Sequence, residues 1–68
     1  MRAIKLTVDF RDWRKLDEFL DGIKDDDTFV HSIDNTSALI VTEGSCGMSF
    51  VQAHIADTFE DADIEDLK

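Results

Sequence analysis

Ile4, Leu6, Val8 and Phe10 alternate with Lys5, Thr7 and Asp9, a period of two that predicts a strand with one buried and one wet face. The period then lengthens. Trp13, Leu16, Phe19, Leu20 and Ile23 recur at helical spacing, with Asp12 placed to cap the start and Gly22 to close the end in a left-handed conformation. Asp25-Asp26-Asp27 reads as a loop. Residues 28–33 and 38–43, rich in β-branched and aromatic side chains, flank Asp34-Asn35-Thr36-Ser37 and predict a hairpin. Gly44-Ser45-Cys46-Gly47 breaks that pattern, and Ser49 with Gln52 has the capping-box spacing that opens a second helix. Met48, Val51, Ile55, Phe59 and Ala62 form its inner face. Beyond Glu60, the residues around Ile64 and Leu67 fit either a continued helix or a short docked extension.

The order β-α-β-β-α predicts an α+β fold: one domain over residues 1–68, with a three-stranded, mainly antiparallel sheet and two helices on one face. The third strand lies centrally in this arrangement and pairs with both neighbours. Lys5, Thr7 and Asp9 then point to the opposite face, and two exposed edges are open to pairing with another chain.

Composition sharpens this picture. An apolar share of 43 % supports a packed core, and 68 residues leave room for one domain. No apolar run approaches the roughly 18 residues that span a bilayer, and Met1-Arg2-Ala3-Ile4-Lys5 leads into no signal-peptide core, so a cytoplasmic location is expected. The single Cys46 suits a reducing compartment.

Sixteen acidic side chains against seven basic ones give a net charge of −9, unevenly spread. Residues 1–16 hold five cations, Arg2, Lys5, Arg11, Arg14 and Lys15, against Asp9 and Asp12, which leaves +3. Residues 17–68 hold fourteen carboxylates against Lys24 and Lys68, or −12, and the two parts recover −9. Such a field steers basic partners and disfavours direct nucleic-acid binding. Asp57, Glu60, Asp61, Asp63, Glu65 and Asp66 would lie within about 15 Å of a helix, a charge density comparable to a DNA strand with one phosphate per about 3.4 Å. Together with Asp25, Asp26 and Asp27 they are the candidate partner-binding residues. The commoner role of such a run is a solvated surface.

Catalytic chemistry finds little support. Cys46 before a helix could be an activated thiol, but no fixed base accompanies it, and a small buried or half-buried residue ending a strand is the simpler reading. A zinc site would require Cys46, His31, His54 and Asp57 to converge without any paired spacing, and no segment has the EF-hand pattern. His31 reads as a strand surface or edge position and His54 as a helix flank. No phosphate loop, helix-borne His pair or Ser-centred elbow occurs. No catalytic residue, cofactor or metal is therefore assigned. Arg11, Arg14 and Lys15 form a basic cluster beside Trp13, read as core with the cluster pairing to nearby carboxylates.

In class, the short acidic chain, with Asp25-Asp26-Asp27 and Glu60-Asp61-Ala62-Asp63-Ile64-Glu65-Asp66, resembles small phage-encoded anti-CRISPR and anti-restriction proteins. The resemblance is compositional and implies an inhibitor that occupies the basic nucleic-acid-binding surface of a CRISPR effector or nuclease, as a DNA mimic. The basic first helix departs from a pure mimic. The alternative is a non-catalytic regulatory or assembly subunit, open to homodimerisation, that binds through its sheet edge; its acidity then serves solubility or a high-salt cytoplasm.

Overall fold

Alternation at the N-terminus becomes strand β1, Arg2–Thr7, whose Ile4 and Leu6 are fully buried while Ala3, Lys5 and Thr7 are half-buried on the other face. The computed structural model describes residues 1–67. β1 is shorter than the expected span to Phe10: Val8 still buries and donates its N–H to the Thr36 carbonyl at 2.8 Å, but Phe10 is 72 % exposed.

A 3-10 turn over Phe10–Asp12 leads into helix α1, Trp13–Ile23. Asp9, not Asp12, caps this junction. Its carboxylate accepts the Arg11 N–H at 3.0 Å and its carbonyl the Asp12 N–H at 2.9 Å, whereas the Asp12 side chain makes no capping bond. The turn moves the capping position back by one turn. Gly22 lies inside the helix with negative φ, so the expected left-handed cap does not form; Lys24 ends the helix by turning extended. Leu16 and Leu20 are buried, with Phe19 and Ile23 packed beside them. Trp13 is 41 % exposed under the Arg14 guanidinium, 5.1 Å away, and is not core.

Strands β2, Thr28–Ser32, and β3, Ser37–Thr42, form the expected hairpin. Helix α2 spans Ser45–Thr58, and its N-cap lies five residues before the Ser49 of the capping box. Gly44 occupies the N-cap without a side-chain bond, and the first turn absorbs Gly47, which packs toward the Thr42 side chain. Cys46 therefore stands exposed on a helix instead of ending a strand. Met48, Val51, Ile55 and Phe59 are buried, and Ala62 packs on them, as their spacing predicts.

After Phe59 the chain does not continue the helix; it docks as a short extension, and the extension is a strand. It returns as strand β4, Asp63–Leu67, antiparallel to β1 with Ile4 opposite Asp66 and Leu6 opposite Ile64. The sheet thus has four strands, not three, in the order β2-β3-β1-β4, all neighbours antiparallel. Each helix crosses between parallel, non-adjacent strands, the split β-α-β arrangement called ferredoxin-like. That arrangement hosts many functions and implies none. Both helices bury against the face carrying Ile4, Leu6, Ala38 and Ile40, which leaves the other face uncovered.

Candidate binding surfaces

Strand pairing decides where the acidic residues go. Asp25, Asp26 and Asp27 precede β2 at the sheet end where β3 finishes, and the Asp27 carbonyl accepts the Glu43 N–H at 3.2 Å. Asp57, Glu60, Asp61 and Asp63 lie around the end of α2 and the start of β4, at the other end and along the other edge. The two groups occupy diagonally opposite corners of the sheet and form no single face. The C-terminal run also loses its helical density: five residues of β4 extend over about 17 Å and alternate between faces. Asp63 and Glu65 edge the uncovered face; Asp66 lies on the helix side.

The cations of the first sixteen residues meet these carboxylates. Arg2 pairs with Asp66 at 3.4 Å, Lys5 stands directly opposite Glu65, and Arg11 and Lys15 line one cleft with Asp57, Glu60 and Asp61. The opposed charges of the two chain ends therefore complement each other within the fold. Among the described residues, Asp9 and Asp66 are the carboxylates in ion pairs, both exposed. Asp9 is held below the usual carboxylate range by the Arg11 backbone N–H and then by its side chain. Asp34 is lowered first by the Thr36 N–H, 2.8 Å away.

Register places the uncovered face in rows. Phe29, Val41, Ala3 and Leu67 form an apolar row across all four strands; His31, Leu39, Lys5 and Glu65 form the next. Among the described residues, Lys5 and Glu65 in the second row and Asp63 beyond it are the formal charges that the paired strand positions bring to this face, so its strands are nearly neutral on a molecule of −9.

The two edges of the sheet differ sharply. β4 presents Asp63, Glu65 and Asp66, charges of the kind that blunt an edge against pairing. β2, Thr-Phe-Val-His-Ser, presents no formally charged side chain. Thr28 exchanges both backbone bonds with Asp25, at 3.2 and 3.3 Å, on the side away from β3. The backbone groups of Val30 and Ser32 point the same way by the two-residue period, and among the described residues they have no partner. Sequence pattern did not single out Val30 and Ser32, because the outward direction follows from the Asp25 turn and not from residue type. A lack of charge over residues 28–32 was the available signal.

His31 is exposed on this edge and His54 on α2, where it meets Phe50 edge-on at 4.6 Å. Among the described residues no group of three or more His, Cys, Asp or Glu side chains gathers as a metal site, and no helix is long and apolar enough to cross a membrane. Comparison with known protein families, curated proteins and solved structures finds no match to this chain.

Proposed function

We propose that the chain is a non-catalytic regulatory or assembly subunit that takes up a strand of another protein molecule along β2. The observation that carries this reading is the open backbone of Val30 and Ser32 on an edge without formal charge, beside an apolar row that neither helix covers. Strand addition supplies affinity from main-chain hydrogen bonds and specificity from alternate side chains. Phe29 is more than half exposed and is the side chain placed to give that specificity.

A second reading is the acidic inhibitor that occupies the basic nucleic-acid-binding groove of a nuclease or CRISPR effector. It is favoured by the net charge of −9, of which few carboxylates are held in ion pairs among the described residues. One experiment separates the two. A photo-crosslinking side chain is placed at His31 in one variant and at Glu65 in another, and both are irradiated in host cells. A crosslinked product from position 31 alone supports strand addition. A product from position 65 alone, identified as a nucleic-acid-handling protein and no longer formed when a lysate is irradiated at moderate salt, replaces it with the inhibitor reading.

A further inference from the structure

We infer that the strand taken up along β2 is β2 of a second copy of this chain, paired antiparallel about a twofold axis through His31. The inference rests on the reading of β2 as the docking edge and names its occupant.

Geometry selects the register. In an antiparallel pair, residues whose N–H and C=O point at the neighbour exchange two hydrogen bonds. Thr28 is already occupied by Asp25, so Val30 and Ser32 remain to be matched. Two copies of this edge satisfy all of them at once when Val30 of each faces Ser32 of the other, giving four bonds and an isologous interface. A register centred on Val30 would instead oppose Ser32 to the occupied Thr28 and lose two of the four. The Asp25 turn therefore acts as a stop that fixes the alignment.

The same register places His31 opposite His31 at the axis, as a non-hydrogen-bonded pair on the uncovered face. It also sets Phe29 opposite Ile33, two large apolar residues that are 54 % and 50 % exposed. The apolar row of each sheet continues toward its partner. Charge rules out the alternative edge, since β4 against β4 would oppose Asp63, Glu65 and Asp66 to themselves. Charge also tunes the chosen one: Asp34 falls beside the Asp25-Asp26-Asp27 turn of the other copy, so association strengthens as salt rises.

The test uses the full chain with Cys46→Ser and either His31→Cys or Phe29→Cys. Opposed residues of a non-hydrogen-bonded pair have Cα atoms about 4.5 Å apart, within disulfide reach, whereas the two Phe29 positions would be separated by about 13 Å. Under mild oxidation the His31→Cys chain is expected to form a disulfide dimer at least ~10-fold faster than the Phe29→Cys chain. In sedimentation equilibrium the unmodified chain is expected to dimerise increasingly from low to high salt. Ser32→Pro, which removes one outward donor per copy on an edge where proline is tolerated, should leave a folded monomer. Equal crosslinking rates at the two positions, or a dimer that Ser32→Pro leaves intact, would overturn the inference. A chain that stays monomeric near ~1 mM, beyond the range of weak complexes, overturns it as well. In that case a photo-crosslink from position 31 to a different protein preserves the strand-addition reading, and no crosslink there removes both.

Discussion

Gly22 sits in the last turn of α1 with helical, not left-handed, backbone and with open space where a Cβ would go. Gly22→Ala is therefore expected to stabilise the protein by about 0.5–1 kcal/mol, through helix propensity and a less flexible unfolded chain. A rise in thermal midpoint of several degrees would confirm it; a fall would restore the left-handed cap. Thr42 offers the opposite case. It is buried, and its hydroxyl donates to the Gly44 carbonyl at 2.9 Å, joining the end of β3 to the start of α2. Thr42→Val keeps the shape and removes that donor, with an expected cost of about 1–2 kcal/mol in urea unfolding. Asp34 links a residue to pH. Its lowered pKa means that the ionised form stabilises the hairpin at neutral pH, and this contribution is lost as pH falls below the ordinary 3.8. Asp34→Ala should lower the melting temperature at pH 7, and the difference from the parent protein should shrink as pH falls below 3.8.

At the scale of elements, what could be read from the chain is what local periodicity dictates. The alternation of Ile4, Leu6 and Val8, the helical spacing of Leu16 and Leu20, and the turn residues between β2 and β3 each produced the expected element. β4 was not legible because Asp63, Glu65 and Asp66 have poor strand propensity, and only Ile64 and Leu67 are apolar. Its strand form is imposed by the open side of β1, which offers unpaired backbone and the matching cations Arg2 and Lys5. The arrangement of the C-terminal carboxylates was not legible for the same reason. Placed on a helix, those carboxylates make a dense stripe; placed on an edge strand, they alternate and meet cations. The Arg2–Asp66 pair is half exposed, so a double-mutant cycle with Arg2→Ala and Asp66→Ala is expected to give a coupling of no more than about 1 kcal/mol. Hydrogen exchange of the β4 amides provides the local readout. A larger coupling would mean that this pair, and not the backbone ladder, holds the edge strand in register.

For the molecule as a whole, the sign of the salt response carries the most information. A charge of −9 on a 68-residue domain destabilises the compact state through self-repulsion, and among the described residues only Asp9 and Asp66 of the carboxylates are held in ion pairs. Raising sodium chloride from about 0.02 to 1 M shortens the Debye length from over 20 Å to about 3 Å. That change should raise the melting temperature and, for two like-charged copies pairing along β2, raise the dimer fraction in parallel. Docking of the acidic corners onto a basic groove responds oppositely, since counterion release makes such binding weaken with salt. Differential scanning calorimetry and sedimentation equilibrium across one salt series therefore separate three contributions: folding, self-pairing and acidic recognition. Stability and dimer fraction rising together is the expected result. A dimer that dissociates as salt rises would mean that opposite charges, Lys5 and Glu65 on the uncovered faces foremost, hold the two copies together instead of the β2 backbone.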